Sequence, residues 1–168
     1  MAILPVLHLP DPVLNQKSLP VLPPFHHWGP LIHDLVETME YYPGCVGLAA
    51  SQVGRLVQVI VVDVRRYRKP VKGHGLQVLL NPKILEKHLP QVSREGCLSV
   101  TDYTGNVLRY QEVLVEGLTP QGEKIEIQAE GFEAIVFQHE VDHLEGLLFL
   151  DRVSSLKTDI FRRKSFLH

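Results

Sequence analysis

The sequence is poor in cysteine, lacks long apolar runs and carries almost no excess of charge of either sign. Among its 168 residues the only cysteines are Cys45 and Cys97, which excludes a disulfide-rich secreted scaffold and favours a reducing compartment. With 17 basic against 19 acidic residues the net charge is −2, so no specific nucleic acid partner is expected. The longest apolar runs, such as 59–62 and 147–150, fall far short of the ~20 residues of a transmembrane helix, so no membrane partner is expected either.

The length and the first residues of the chain predict one cytoplasmic domain. A chain of 168 residues, 45% of them hydrophobic, has enough apolar material for a single domain over residues 1–168. Residues 1–10 contain prolines and a histidine but no basic region, which is not typical of a signal peptide. The last residues, 156–168, are predicted to form a flexible basic tail.

The periodicity of apolar side chains predicts an α+β fold. The predicted elements are a helix at 31–41, strands at 58–64 and 77–80, a hairpin of strands at 112–118 and 123–128, and a helix at 132–146. The strand at 58–64 is rich in β-branched residues and is predicted to be buried on both faces. We therefore expect antiparallel or mixed sheets packed around a central C-terminal helix.

This last helix contains His139-Glu-Val-Asp-His143, an HExxH sequence. Residues four apart share a helix face, so two imidazoles can bind one metal ion. Glu140 lies beside the first histidine, where a carboxylate can take a proton from water during metal-assisted hydrolysis. The pattern is short, and a half-buried helix with two histidines packed against the core would fit it as well.

A catalytic metal needs a third protein ligand, and the residues after His143 do not offer a suitable one. Phe149 stands where one HExxH peptidase pattern needs a histidine, and no glutamate follows Glu145. A ligand from upstream is therefore required, and a thiolate suits a zinc or ferrous ion already bound by two imidazoles. Cys97, between Gly96 and Leu98-Ser99, is the candidate.

Three blocks of this sequence together resemble the peptide deformylases. They are Gly44-Cys-Val-Gly-Leu-Ala-Ala-Ser-Gln-Val-Gly54, Glu95-Gly-Cys-Leu-Ser99 and Gln138-His-Glu-Val-Asp-His-Leu-Glu-Gly146. The blocks occur in the order and at the approximate separations of that family, and the resemblance covers nearly the whole chain. It is weakest at 67–75 and after Ser155.

The resemblance implies a metal-dependent hydrolase that removes the formyl group from N-formylmethionyl peptides of nascent proteins and releases formate. It implies that Cys97, His139 and His143 bind Fe²⁺, with Zn²⁺, Ni²⁺ or Co²⁺ as possible substitutes. It also implies that Glu140 is the general base and later the acid. The side-chain amide of Gln52 and the backbone N–H of Leu98 would then hold the oxyanion.

The resemblance further indicates how the peptide would bind. Val46 and Gly47 would offer backbone groups to an extended substrate, in the manner of an added strand. The pocket for the methionine side chain would be lined by Leu98, Ile135, Val136 and His139. Glu95 could orient the segment that carries Cys97, or it could be a plain surface acid.

The sequence departs from the family pattern near the predicted cleft. Cys45 replaces a glycine in the first block, where it could be an inert buried thiol, could narrow the cleft, or could be an oxidation-sensitive partner of Cys97. Ser51 stands where proline or threonine is usual, and Thr101 where a proline is common. Thr104 stands where many bacterial members have an arginine near the peptide, so recognition of the peptide end is expected to differ.

Two other functions remain open from the sequence. One is a metallopeptidase, or an amidase for another acylated amine, that uses the same site. The other is a non-catalytic metal-binding or ribosome-associated paralogue whose basic tail could touch ribosomal RNA.

Overall fold

The computed structural model describes residues 2–164, which form two α-helices, six β-strands and five short 3₁₀ turns. The helices are α1 (Gly29–Tyr41) and α2 (Gly131–Leu144). The strands are β1 (Gly47–Ala49), β2 (Val59–Val62), β3 (Gln77–Cys97), β4 (Val100–Leu118), β5 (Lys124–Glu130) and β6 (Ile160–Arg162). The 3₁₀ turns span Pro12–Asn15, Phe25–Trp28, Ala50–Val53, Val64–Arg66 and Phe149–Arg152. None of the helices within residues 2–164 has the length and apolar character needed to cross a bilayer.

The six strands form one sheet, in which every pair of neighbouring strands is antiparallel. The order is β1-β2-β3-β4-β5, and β6 pairs with the N-terminal part of β4. The predicted α+β class is confirmed, and the predicted sheets are a single antiparallel sheet.

Strand β2 is buried on both faces, as predicted, because a helix covers each side of the sheet. Ile60 and Val62 pack with α2 residues such as Phe137 in one core cluster. Val59 and Val61, which alternate with them, pack with α1 residues such as Leu35 in a second cluster. Side chains alternate between the two faces of a strand, so each helix needs its own set of apolar partners in β2.

Strand β3 is much longer than the predicted segment 77–80. It continues to Cys97, although residues 85–92 are exposed and include Pro90, which cannot donate a ladder hydrogen bond. Pairing with β4 supports this polar stretch, with irregular register between Leu80 and Lys83 and between Ile84 and Glu86. Because residues 85–92 are exposed, they show no alternation of apolar and polar side chains, and the sequence therefore does not indicate that they form a strand.

The predicted hairpin and C-terminal helix are confirmed. Strands β4 and β5 pair from Leu118↔Lys124 to Glu112↔Glu130, and α2 begins directly after β5. Gly146 ends the helical region with a φ of +77°, and a Cβ there would lie 2.7 Å from the carbonyl oxygen of Asn15. Only glycine tolerates both constraints.

Part of the predicted C-terminal tail is a strand. Within residues 156–168, β6 pairs with Tyr103–Gly105 of β4, and residues 165–168 lie outside the described residues. The flexibility of the tail and the single-domain organisation stay predictions.

A network of buried ion pairs joins strands β3 and β4 to helix α2. The Arg109 guanidinium, on β4, donates two hydrogen bonds of 2.6 and 2.9 Å to the Glu95 carboxylate and one of 2.6 Å to Asp142. Asp142 also accepts two hydrogen bonds, of 2.5 and 2.8 Å, from Arg152. Arg109 is only 2% exposed, and burying a cation at such a place requires compensating carboxylates.

Replacing Arg109 by methionine is expected to lower the free energy of unfolding by about 3–5 kcal/mol, because the carboxylates of Glu95 and Asp142 would lose a buried cation. The exposed Arg65, paired with Asp63, provides the matched control, and Arg65→Met is expected to cost less than about 1 kcal/mol. Urea denaturation of both variants measures the difference. An equal loss of unfolding free energy in the two variants would show that the buried ion pairs of Arg109 stabilise the fold no more than an exposed pair does.

Candidate metal centre

Three side chains from the two later sequence blocks converge at one point. The Cys97 Sγ lies 3.4 Å from the His143 Nε2, which lies 3.2 Å from the His139 Nε2. All three atoms are within 4.8 Å of one another. Metal bonds of about 2.0–2.1 Å to nitrogen and 2.3 Å to sulfur imply ligand atoms roughly 3.3–3.6 Å apart around a tetrahedral ion. The three residues therefore fit a divalent metal with one open coordination position.

The ligand set is assembled from two elements. His139 and His143 lie one turn apart on α2, and Cys97 is the last residue of β3. Leu98 and Ser99 turn the chain into β4, so that Cys97 pairs with Val100 at the tip of the hairpin. A rigid helix and a hairpin tip thus fix the separation of ligands that are distant in the sequence.

Glu95 orients the first histidine. Its carboxylate lies 2.8 Å from the His139 Nδ1, so a proton on Nδ1 leaves the Nε2 lone pair for a metal. Burial favours the neutral acid, but the hydrogen bonds from His139 and Arg109 dominate and lower the pKa of Glu95 to about 2. The carboxylate therefore stays ionised at neutral pH. The interpretation of Glu95 as a surface acid is wrong, because only 7% of the residue is exposed.

The Gln52 side chain is held beside the cysteine. Its Oε1 accepts a hydrogen bond of 3.0 Å from the Ala49 N–H, which fixes the orientation of the amide. The Nε2 donates to Ser99 Oγ at 3.1 Å and to Cys97 Sγ at 3.5 Å. The N–H groups of a neutral amide are thus aimed at the metal centre.

Glu140 is buried beside the histidines without a cation of its own. Its Oε2 has no hydrogen-bond partner among the described residues. A Cβ on Gly47 would lie 2.7 Å from the Glu140 Oε1, so β1 approaches the carboxylate closely because Gly47 has no side chain. Burial raises the pKa of Glu140 to about 7, close to the pH at which a general base works best.

A cleft of about 380 Å³ opens beside these groups. Of the predicted substrate residues, Val46, Ile135, Val136 and His139 line it together with Glu140. Gly47 lies against Glu140 at its edge, whereas Leu98 packs with the cluster around α1 and is absent from the cleft lining. The Leu98 side chain therefore does not line this cleft, and its role in binding methionine stays a prediction.

The cleft also has walls that the sequence did not indicate. Tyr67, from the loop after β2, stacks on Phe132 of α2 with ring centroids 4.3 Å apart. Both rings line the cleft, as do Ser93, Arg94 and Gly96 of β3. A loop residue and a helix residue far apart in the sequence share this wall, which no local pattern encodes.

Cys45, the second residue of the first block, is buried. Its thiol donates a 3.2 Å hydrogen bond to the Gly47 carbonyl. Burial, with the nearby Glu140 charge, raises the pKa of the thiol to about 12. A protonated thiol is a poor nucleophile, which favours the interpretation of Cys45 as an inert packing residue.

The other departures lie at the edges of the site. The Ser51 hydroxyl donates to the carbonyl oxygen of His143 at 3.3 Å, which ties the first block to α2. Thr101 lies near the start of β4, and Thr104 pairs with Phe161 of β6. Ser51 thus contributes a contact of its own to the helix that carries the histidines.

Sequence reasoning did not find Arg109, Asp142, Arg152 or Ser99, all of which contact groups around the metal centre. One signal was available for Arg109, since it interrupts the alternation of Val107, Val113 and Val115 on the buried face of β4. A charged residue at a core position implies a buried partner.

Comparison with known proteins identifies relatives over almost the whole chain. A model of the polypeptide deformylase family matches residues 3–159. A peptide deformylase of Syntrophobacter fumaroxidans is 47% identical over 98% of this chain and 94% of the relative. A peptide deformylase of Halothermothrix orenii is 45% identical over 91% of this chain and 95% of the relative.

Solved structures agree with the sequence comparison. The peptide deformylase of Thermotoga maritima superposes with a TM-score of 0.82 at 37% identity, covering 92% of this chain and 100% of that one. A class I type b peptide deformylase of Acinetobacter baumannii, bound to Met-Ala-Ser, gives 0.81 at 37% identity, covering 90% and 99%. Family match, sequence identity and fold coincide over the length of the chain, which therefore belongs to the polypeptide deformylase family.

Proposed function

We propose that this protein is a peptide deformylase that hydrolyses the formyl group of N-formylmethionyl peptides of nascent proteins to formate and a free amino terminus. The observation that carries the proposal is the convergence of Cys97, His139 and His143 at metal-binding distances, with the buried Glu140 next to them. Membership in a family of metal-dependent hydrolases supports the same reaction.

The native metal is proposed to be Fe²⁺, with Zn²⁺, Ni²⁺ or Co²⁺ able to replace it. Two imidazoles and one thiolate form a donor set that these ions accept. A bound divalent cation supplies positive charge that acidifies a water molecule and stabilises negative charge on the former formyl oxygen.

Glu140 is proposed as the general base and then the acid. It takes a proton from the water whose oxygen attacks the formyl carbon, and it gives this proton to the amine nitrogen as the C–N bond breaks. Its Oε2 has no hydrogen-bond partner among the described residues, and in the metal-free protein burial raises its pKa to about 7. It can therefore both accept and release a proton at neutral pH.

The Gln52 amide and the Leu98 N–H are proposed to hold the oxyanion. Gln52 is kept in orientation by Ala49 and Ser99, so it donates without reorganising during the reaction. Leu98 follows the ligand Cys97 directly, and its backbone N–H would serve even though its side chain packs elsewhere.

The peptide is proposed to bind as an extended strand between β1 and the end of β3. Within residues 2–164, β1 pairs only with β2, and β3 pairs with β2 only over residues 77–80. The backbone edges at Val46–Gly47 and Ser93–Gly96 are thus available for strand addition. Ile135, Val136 and His139 would surround the methionine side chain, and Met-Ala-Ser bound to the Acinetobacter baumannii relative supports a substrate of this shape.

The cellular setting remains a set of proposals. Two unpaired cysteines, one of which must be a thiolate to bind metal, support a reducing cytoplasmic location. Association with the ribosome through the basic tail stays a prediction. A peptidase and a non-catalytic metal-binding protein are the competing functions.

Iron-loaded protein, purified without air, is expected to release formate from formyl-Met-Ala-Ser and to leave acetyl-Met-Ala-Ser intact. Glu140→Gln is expected to lower kcat by about 10²–10⁴-fold with bound metal unchanged, because the general base would be lost while all three ligands remain. Formate assays and metal analysis of the same samples test both expectations.

The matched control is Glu126→Gln, since Glu126 is an exposed residue of β5, and it should retain full activity. Release of free methionine would identify a peptidase, and no product at all would support the binding protein. Full activity of Glu140→Gln would overturn the assignment of the base.

Stability of the metal-stripped protein is expected to depend on the Glu140 proton. The folded pKa of about 7 lies above the ordinary glutamate pKa of 4.5, so the folded state retains a proton that the unfolded state releases between these pH values. Stability is therefore lost as pH rises through this window. At pH 8, Glu140→Gln should be more stable than the unsubstituted protein by about 3 kcal/mol, and at pH 5 by less than about 1 kcal/mol.

Urea denaturation in the presence of a chelator at the two pH values measures this difference. An advantage of Glu140→Gln that is the same at pH 5 and pH 8 would mean that the buried carboxylate is not the titrating group.

A further inference from the structure

Arg94 of β3 lines the cleft, and Arg163 lines a groove that meets the cleft at Gly96; both arginines are positioned by strand β6. Its Phe161 packs under Arg94, whose guanidinium carbon lies 3.6 Å from the ring centroid. The residue after β6, Arg163, is fixed by a 2.7 Å hydrogen bond from its N–H to the carbonyl of Asp102. We call Arg94 and Arg163 the cationic rim.

Arg163 lies directly against the backbone that carries the ligand Cys97. A Cβ on Gly96 would be in steric conflict with the Arg163 guanidinium nitrogen Nη2, so the guanidinium occupies the space that a side chain at Gly96 would fill. The same Nη2 makes only a long, 3.5 Å hydrogen bond to the Cys97 carbonyl. Since Gly96 itself lines the cleft, the guanidinium stands next to the proposed path of the peptide.

The positive charge of the rim is not neutralised by the described residues. Arg94 donates to the neutral amide oxygen of Asn106 at 2.9 Å, and the Arg163 Nε is buried without a hydrogen-bond partner among residues 2–164. Asp102 shares the adjoining groove with Arg162 and Arg163, but its carboxylate forms no ion pair with the rim in that part of the chain. Arg109, by contrast, is paired twice.

The proposed path of the substrate leads past this charge. An extended peptide advances about 3.3 Å per residue, so a chain that begins at the metal and follows the free edge of β3 passes Gly96 and then Arg94. Its residues after the methionine would therefore lie beside the cationic rim. Arginine is suited to carboxylates, which accept its parallel N–H groups.

We propose that the cationic rim, and Arg163 above all, binds a carboxylate of the substrate downstream of the formylmethionine. The carboxylate is either an acidic side chain at the third residue or the free end of a short peptide. The inference rests on the proposed deformylase function, and it makes Arg163 a specificity-determining residue that touches the substrate and takes no part in the chemical step.

The test compares formyl-Met-Ala-Glu-amide with formyl-Met-Ala-Gln-amide, two peptides of nearly equal size that differ in one charge. The protein is expected to prefer the glutamate peptide by about three- to tenfold in kcat/KM, as for a half-exposed charge-assisted pair. The difference should appear in KM, with kcat unchanged. Comparing formyl-Met-Ala-Gln with a free carboxylate and with an amidated end shows whether the protein also binds the C-terminal carboxylate of the peptide.

Arg163→Gln is expected to abolish the preference for the glutamate peptide, and Arg163→Lys should retain part of this preference. Arg162→Gln is the matched control, because it removes the same charge from the neighbouring exposed position and should keep the preference. If Arg162→Gln and Arg163→Gln reduced the preference for the glutamate peptide equally, the preference would come from the overall positive charge of this surface. That result would overturn the proposal that Arg163 binds the carboxylate directly.

Failure of this inference is separable from failure of the proposed function. Calorimetric binding of Met-Ala-Glu-amide and Met-Ala-Gln-amide needs no turnover, so it reports on the rim even in a protein that releases no formate. Equal affinity and equal kcat/KM for the charged and neutral peptides, at both the third residue and the chain end, would overturn the proposal without any variant.

Discussion

The carboxylate of Glu95 is the interaction on which the metal centre depends. One of its oxygens contacts both the His139 ring and the Arg109 guanidinium, and the other accepts a second bond from Arg109. Without the arginine, an ionised carboxylate at this depth would be too costly to bury, and without the carboxylate His139 would lose the partner that fixes its tautomer. Asp142 and Arg152 continue the alternation of charge towards the surface, so that each buried group is compensated by the next.

Glu140 is the contrasting case, because the fold buries it on the same helix and gives it no ion pair among residues 2–164. Desolvation then brings its pKa to about 7, whereas the ion-paired Glu95 stays near 2. Two glutamates in one site thus take different roles because of their surroundings. Glu95, which is ion-paired, fixes the orientation of the His139 ring. Glu140, with a pKa of about 7, is able to exchange a proton near neutral pH.

Prediction from sequence succeeded where a local pattern carried the information. Helix α2, the β4–β5 hairpin and the double-sided burial of β2 follow from periodicity, and two of the three blocks contain the Cys97, His139 and His143 side chains that the fold brings together. It failed for the exposed arm of β3, because polar strands paired only with each other leave no alternation. It also missed the partners of Glu95 and the position of β6, which depend on residues up to 66 positions apart, as for Cys97 and Arg163.

The sequence by itself determined which side chains are on offer, since the HExxH pattern and the cysteine block contain the candidate metal ligands and the candidate base. The tertiary structure alone decided how their chemistry is controlled. Only packing sets which glutamate is paired and which is left unpaired, because burial and charge compensation are properties of neighbours in space. Only the pairing of β6 with β4 brings Arg163 against Gly96, a residue that lines the cleft.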